Sequence, residues 1–199
     1  MRFVRSNNRL LSFTADDIDL LKFQLGKYIK YIFEAAINGD DSLLRMISNE
    51  HDYVGKMIHR ICLRKKYLAR CMAGSYMFSF ATDGSIYPCD SFVGKKSFII
   101  GNYYKGFYKN KLNTYKDLTI YRRSRCKNCW ARFVCGGDCY HNSYIVNKNL
   151  LEPDPTYCVL IKYVIENVIA YSNRFQKYNK LGYDNFVEFL FIRDQYNNR

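Results

Sequence analysis

The sequence predicts an α+β fold, and three patterns along its 199 residues lead to that class. Helical periodicity occupies most of residues 1–70 and returns after Pro153, whereas a β-hairpin pattern lies between these regions. Cysteines cluster after the hairpin, which predicts ligand-binding loops closed by a C-terminal helix. With 48% hydrophobic and 17% aromatic residues, the chain can bury the core that such a fold requires.

A long helix is predicted to follow a short initial strand, "MRFVRS". Thr14, with Asp17 three residues later, approximates the capping box that marks a helix start. The hydrophobic residues that recur behind it at helical spacing are Ile18, Leu21, Leu25, Ile29, Ile32 and Phe33. "NGDDS" ends this helix, and a second, less regular helix is predicted from Ser42 towards Arg70.

The middle of the chain is predicted to form a β-hairpin. The segment "SYMFSFATDGSIYPCD" contains two β-like stretches on either side of Asp83-Gly84. This dipeptide suits the positive φ of a tight turn, so we expect the turn there.

The C-terminal helix is predicted from "TYCVLIKYVIENVIAYSNRF", which follows Pro153 and Pro155 and has an amphipathic pattern. Thr156 is the expected N-cap, and Cys158 then falls in the first turn. Residues 194–199 are expected to fray.

Composition and charge narrow the classes of function. The formal net charge is +13, which implies an acidic partner such as nucleic acid, an anionic membrane surface or an acidic peptide. Tyr121-Arg122-Arg123 is a candidate contact for an acidic peptide, but a solvated basic face is the favoured interpretation. No apolar run reaches the roughly 18 to 20 residues of a membrane span, and the N-terminus lacks a signal-peptide pattern. We therefore expect a cytoplasmic protein without a membrane partner.

Cysteine spacing carries the strongest functional signal. In a reducing cytosol, eight clustered cysteines indicate metal binding or redox chemistry more than a disulfide framework. A single structural zinc uses four thiolates and would leave three of the seven patterned cysteines without a role. Two closed zinc sites would need eight ligands. Seven cysteines divide instead into one set of four and one set of three. This division favours iron-sulfur clusters over zinc, because a cluster with one iron unclaimed by protein can bind substrate or solvent. The seven are Cys71, Cys89, Cys126, Cys129, Cys135, Cys139 and Cys158.

The cysteines follow the pattern C-x12-G-x4-C, then C-x2-C-x5-C-x3-C, then a last C. This pattern resembles the SPASM domain. This is the C-terminal auxiliary-cluster module of radical S-adenosylmethionine (radical SAM) enzymes that modify peptides and proteins. "DGSIYPCDSFVGKKSFIIGN" and "CWARFVCGGDCYHNSY" are similar to its thioether-forming branch, which includes ranthipeptide and quinohaemoprotein amine dehydrogenase maturases. The resemblance implies an auxiliary-cluster domain at 71–175 and a tail at 176–199. Residues 1–70 would be the end of the radical SAM barrel and its linking helices.

The resemblance also implies a ligand set for two auxiliary 4Fe-4S clusters. The first cluster would be held by Cys71, Cys89 and Cys139. Gly136 and Gly137 would let the backbone pass close to inorganic sulfur. The ligands of the second cluster would be Cys126, Cys129, Cys135 and Cys158.

Three departures from the family pattern limit what the resemblance implies. Met77 stands where some sulfatase maturases have an eighth ligand, so the first cluster is expected to keep an open iron unless Cys62 reaches it. Asp138 replaces a common third glycine. No C-x3-C-x2-C occurs, so this chain alone lacks the cluster that cleaves S-adenosylmethionine. A truncation, a split system with the core on a second chain, or loss of the core would each explain that absence.

Other side chains near the cysteines have two interpretations each. Asp90 is similar in position to a substrate-facing proton acceptor, and the alternative is a turn aspartate. His141 is expected to donate hydrogen bonds near a cluster more than to ligate iron. Trp130 and Phe133 are expected to shield a cluster from water. Cys62 is expected to be a buried apolar residue.

The prediction is therefore the C-terminal part of a radical SAM peptide maturase, inactive alone, that contributes to thioether formation or a related oxidation. Its expected partners are a peptide or protein substrate, a separate core chain and a reductant such as ferredoxin or flavodoxin. A zinc-binding nucleic-acid module is one alternative, although nucleic acid is the less favoured partner. A non-catalytic electron-transfer or peptide-binding subunit is the other.

Overall fold

The computed structural model describes residues 13–49, 52–116 and 118–197. These residues form helices and a small antiparallel sheet, so the predicted α+β class is confirmed. They divide into two compact units. Unit 1 consists of residues up to 66 together with 133–135 and 155 onwards, and unit 2 consists of 67–132 and 136–154. The predicted strand "MRFVRS" lies outside the described residues.

Unit 1 is helical. Its helices are α1 (Ala15–Ile37), α2 (Ser42–Ile47), α3 (Tyr53–Cys62), α8 (Pro155–Tyr178) and α9 (Lys180–Asn197). The central element is α8, which packs against α1, α3 and α9. Phe33 on α1 stacks on Tyr171 of α8 with ring centroids 6.0 Å apart, and Phe175 of α8 meets Phe186 of α9 at 6.3 Å.

The start of α1 is as predicted. The Thr14 side chain accepts the Asp17 backbone N–H, and the Asp17 carboxylate accepts the Thr14 backbone N–H at 2.8 Å. Both bonds of the capping box are therefore present, and such a cap stabilises a helix by about 1 kcal/mol.

The second predicted helix, from Ser42 towards Arg70, is wrong as a single element. The chain forms α2 and α3 instead. The Asp52 carboxylate caps α3 by accepting the backbone N–H groups of Val54 at 2.9 Å and Gly55 at 2.7 Å. An N-cap requires non-helical backbone, so α3 starts anew there and ends at Cys62.

The C-terminal region also differs from the prediction at both ends. Helix α8 begins at Pro155, which suits the first helical position because it needs no N–H donor, so Thr156 is inside the helix and is not its N-cap. The expected fraying does not hold for 194–197, which belong to α9. Asn179 caps that helix by accepting the Gly182 N–H at 3.0 Å.

Unit 2 contains the sheet. Strands β1 (Ser79–Phe80), β2 (Ser85–Tyr87), β3 (Gly101–Asn102) and β4 (Gly106–Phe107) form an antiparallel meander in chain order. The predicted hairpin is confirmed, since Ser79 pairs with Tyr87 and Gly84 has a φ of +80° in the turn. Its helices are α4 (Lys109–Lys116), α5 (Ser124–Lys127) and α7 (Tyr140–Asn147), and α6 (Arg132–Cys135) lies where the chain passes between units.

The core of unit 2 includes thiols. Cys89 is buried in a cluster with Ile86, Phe92 and Ile100, and Cys71 is partly buried against the same cluster. None of the helices in the described residues combines the length and apolar character needed to cross a membrane.

Candidate metal centres

The predicted ligands divide between the two units. None of the eight cysteines forms a disulfide bond, and all lie within the described residues. Those of the first predicted cluster, Cys71, Cys89 and Cys139, all lie in unit 2. The second predicted set is shared, with Cys126 and Cys129 in unit 2 and Cys135 and Cys158 in unit 1.

The first set comes from three separate segments of unit 2. Cys71 lies in a loop, Cys89 follows β2 as the N-cap of a short 3-10 turn, and Cys139 is the N-cap residue of α7. The Gly74 N–H donates to the Pro88 carbonyl at 3.0 Å. This bond joins the loop behind Cys71 to the residue before Cys89, so the two thiols are fixed in neighbouring segments.

The three sulfur atoms lie close enough to influence one another's ionisation. Burial raises the pKa of Cys71, and the Ala73 backbone N–H opposes the rise by hydrogen bonding to the sulfur. Burial likewise raises the pKa of Cys89, which the Ser91 N–H opposes. A charge on Cys139 raises both pKa values further, because like charges in a partly buried site repel.

A buried cation accompanies these thiols. Arg123 is 1% exposed, and its charge, together with that of Arg70, opposes the rise in the Cys71 pKa. Its Nη1 donates to Ser143 Oγ at 3.3 Å, while its Nη2 has no hydrogen-bond partner among the described residues. Asp138 is a buried carboxyl group within electrostatic range of this guanidinium, and thiolates that ligate a metal would add further negative charge beside it.

No local sequence signal distinguishes Arg123 from its neighbours in "YRRSR". Arg122 and Arg125 on either side are exposed. For Arg123, the expected solvated basic face is therefore wrong.

The loop before Cys139 is fixed by Asp138. This carboxylate is 1% exposed and accepts the backbone N–H groups of Cys139 at 2.6 Å and Asp154 at 3.0 Å. Burial raises the pKa of Asp138 and the Asp154 N–H opposes the rise. Gly136 and Gly137 precede it with φ of +71° and +92°, values that side-chain-bearing residues rarely adopt. The left-handed pair turns the chain so that Asp138 and Cys139 face inward.

Asp90 and His141 lie beside the first set. Asp90 is exposed and begins the 3-10 turn behind Cys89, a position that suits either interpretation of its role. His141 Nε2 is 2.8 Å from Lys95 Nζ, and its ring meets Phe92 edge-on at 5.3 Å. Burial lowers the pKa of His141, and the Lys95 charge adds to this effect. In this arrangement Nε2 is engaged by Lys95.

The second set forms two pairs, one in each unit. In unit 2 the Cys129 N–H donates to the Cys126 carbonyl at 3.1 Å, which closes a tight turn. In unit 1 Cys135 Sγ is 3.6 Å from the Tyr157 hydroxyl, and Tyr157 directly precedes Cys158. Cys135 therefore contacts a side chain from the first turn of α8.

Aromatic residues of the cysteine loop differ in exposure. Trp130 is 55% exposed, so its ring is open to solvent. Phe133 is half-buried, and Lys66 Nζ lies over its ring at 5.7 Å. Met77, at the position of the eighth family ligand, is 44% exposed.

Cys62 is buried, as expected. It is 6% exposed at the end of α3 in unit 1, where its sulfur is 3.8 Å from Ser172 Oγ. Burial raises the pKa of this thiol to about 11, so it is protonated at neutral pH.

The described residues contain no preformed site for a single metal ion. Within 13–49, 52–116 and 118–197, no three His, Cys, Asp or Glu side chains converge as ligands of one metal ion do. The ligands of a four-iron cluster each bind a different iron, so their sulfur atoms surround the cluster without meeting at one point. Cys71, Cys89 and Cys139, with Arg123 as a buried counter-charge, have the chemistry that such a group requires.

Comparison with known proteins gives one distant similarity. No protein-family model matches the chain. An uncharacterized protein of Archaeoglobus fulgidus is 28% identical over 98 residues, which cover 48% of this chain and 23% of that protein. The chain therefore spans less than a quarter of the length of this relative.

Proposed function

We propose that this chain is the C-terminal part of a radical SAM enzyme that modifies a peptide or protein. In this role it binds two auxiliary 4Fe-4S clusters and contributes to thioether formation or a related oxidation. The grouping of Cys71, Cys89 and Cys139 in one compact unit, where the Gly74–Pro88 hydrogen bond joins the segments of the first two and Arg123 is buried, is the observation that carries the proposal.

Each group of residues has a proposed role. Cys71, Cys89 and Cys139 hold the first cluster, and Arg123 balances its negative charge. The second cluster is held by Cys126, Cys129, Cys135 and Cys158. When bound, the clusters supply electron transfer and an iron able to bind a substrate thiolate.

The remaining activity depends on other components. S-adenosylmethionine cleavage requires a core with three further cysteines, which a separate chain or a preceding segment would provide. Asp90 is the proposed proton acceptor, because it is exposed directly behind Cys89. We place the protein in the cytoplasm, where ferredoxin or flavodoxin would reduce the clusters.

Metal analysis tests the proposal directly. Protein purified without oxygen, and after reconstitution with iron and sulfide, is expected to be brown and to contain about eight irons per chain. Cys89→Ala is expected to leave about four irons, whereas the matched variant Cys62→Ala is expected to keep about eight.

A zinc protein would give the opposite result. Stoichiometric zinc in colourless protein would overturn the proposal and favour the nucleic-acid alternative, to which the net charge of +13 is suited. Steep loss of single-stranded RNA or DNA affinity with added salt would then be the supporting measurement.

A further inference from the structure

Unit 2 contains a cavity that the proposed cluster ligands do not line. Its volume is about 470 Å³, within the range of small-ligand and side-chain pockets. Its walls come from the 3-10 turn Lys96–Phe98, from α4 and the segment after it, and from α7 and the segment that follows α7.

The cavity has an apolar interior and cations at its edge. Phe98, Leu118, Tyr144 and Leu150 line it, and Phe98 contacts Tyr144 edge-on with ring centroids 4.6 Å apart. Arg122 and Lys148 also line it, and both are exposed. No acidic side chain of the described residues contributes to the lining. A ligand that fits must therefore combine an apolar group with negative charge.

Helix α7 links the cavity to the thiols. Cys139 is its N-cap residue and Lys148 its C-cap residue, while Tyr144 lies on the helix between them. At ~1.5 Å rise per residue, Tyr144 is about 8 Å and Lys148 about 13 Å along the axis from Cys139. An extended peptide covers that distance with about four residues.

Lys95 supplies a cation between the two sites. Its Nζ is 2.8 Å from Nε2 of His141, which lies two residues after Cys139 at the start of α7. The same Nζ is 5.7 Å from the ring centroid of Phe92, which stacks on the cavity residue Phe98. Positive charge continues from the cavity to the thiols.

We propose that this cavity binds an acidic segment of the peptide substrate, with an aliphatic or aromatic side chain inside and a neighbouring carboxylate on Arg122 or Lys148. The inference rests on the proposed peptide maturation and names its substrate class. A peptide bound in this way continues along Lys95 towards Cys89 and Cys139. Recognition of the acidic segment would therefore hold the modified residue next to the first cluster.

A peptide suits the cavity better than nucleic acid does. Bases bind single-strand sites by stacking on open aromatic faces. Here Lys148 Nζ lies over the Tyr144 ring at 5.5 Å, and Phe98 stacks on Phe92 with centroids 4.2 Å apart. One face of each ring is thus already covered, whereas a single apolar side chain needs only space in the cavity.

Binding of a synthetic peptide tests the inference. The probe is a fluorescein-labelled, end-blocked hexapeptide of alternating glutamate and leucine or phenylalanine, and its counterpart carries glutamine at each glutamate. Fluorescence anisotropy with the full chain is expected to give at least tenfold tighter binding of the glutamate peptide, which is about 1.4 kcal/mol. The double variant Arg122→Gln/Lys148→Gln is expected to lose that preference.

A matched variant controls for net charge. Lys105 and Lys177 are exposed and lie outside the cavity lining, so Lys105→Gln/Lys177→Gln removes the same charge and is expected to keep the preference. Equal binding of both peptides to wild type would overturn the inference. An equal loss of the glutamate-peptide preference in the two double variants would also overturn it. So would a single-stranded oligonucleotide that binds more tightly than the peptide and depends on Arg122 and Lys148.

The test separates this inference from the proposed function. Peptide binding is measured on iron-loaded protein and on protein without iron. Charge-dependent binding to a chain that never takes up iron would support the cavity and contradict the cluster proposal. A chain with about eight irons that does not discriminate the peptides would support the clusters and contradict the cavity assignment.

Discussion

The guanidinium of Arg123 lies over the ring of Tyr140, with its central carbon 4.7 Å from the ring centroid. Both side chains are buried, and Tyr140 donates its hydroxyl hydrogen to the Leu118 carbonyl. The cation is therefore held by an aromatic ring that is itself anchored. A fixed positive charge within electrostatic range of Cys71 is a means of setting the electronic properties of a bound cluster.

Replacement of Arg123 by Met is expected to lower the reduction potential of the first cluster by on the order of 50 to 100 mV, because a nearby cation favours the more negative reduced state. Redox titration followed by paramagnetic resonance measures the shift. Arg122→Met, which removes an exposed charge from the next residue, is expected to change the potential much less. An unchanged or higher potential in Arg123→Met would contradict the role.

Cys158→Ala is expected to remove one cluster and loosen the start of α8. Iron content should fall to about four per chain, since this variant takes one ligand from the second set. Limited proteolysis should then cut faster within 155–178. Unchanged iron together with unchanged protease resistance would count against Cys158 as a ligand.

Cys62 gives a prediction for pH dependence. Its thiol ionises near 9 in the unfolded chain and at about 11 in the folded protein, so the native state retains the proton between these values. Stability should consequently fall as pH rises from 9 to 11, by roughly 3 kcal/mol at 1.4 kcal/mol per unit.

Cys62→Ala removes that titration. The variant is expected to be less stable at pH 8 by about 1 kcal/mol, because it loses buried sulfur. Chemical denaturation at several pH values should show this gap closing above pH 9 and reversing before pH 11, because the wild-type loss of roughly 3 kcal/mol exceeds the initial difference of about 1 kcal/mol. A gap that stays constant to pH 11 would mean that the thiol titrates normally.

The chain alone is expected not to cleave S-adenosylmethionine, because no C-x3-C-x2-C occurs in it. Dithionite-reduced protein should yield no 5'-deoxyadenosine above a control without protein. Production of that nucleoside by the chain, at a level that scales with its concentration, would show that a core cluster is present after all.

Features set by neighbouring residues could be predicted from the sequence. The capping box of Thr14 and Asp17 depends on a spacing of three residues, and the turn at Gly84 depends on one positive φ. The amphipathic pattern of α8 was sufficient to predict that helix, although the helix starts at Pro155 and continues to Tyr178, beyond the predicted segment.

Features set by distant partners could not be predicted in this way. Helix α9 is held by Phe186 and Leu190, both fully buried, which gain their stability from packing on other helices of unit 1. The same holds in unit 2, where burial of Arg123 depends on Tyr140 and Ser143, seventeen and twenty residues further along the chain. The spacing of the cysteines identified them as candidate ligands, but it contained no information about the buried Arg123 guanidinium near Cys71.

The pairing of α1 with α8 has a consequence for the order of folding. These helices belong to one unit, yet the whole of unit 2 is synthesised between Ile37 and Pro155. Their contact closes a loop on the order of 100 residues, and contacts at such separation form late. On the ribosome, Cys71, Cys89 and Cys139 all emerge before α8 does. Unit 2 can thus fold around its thiols before α8, the central helix of unit 1, has been synthesised.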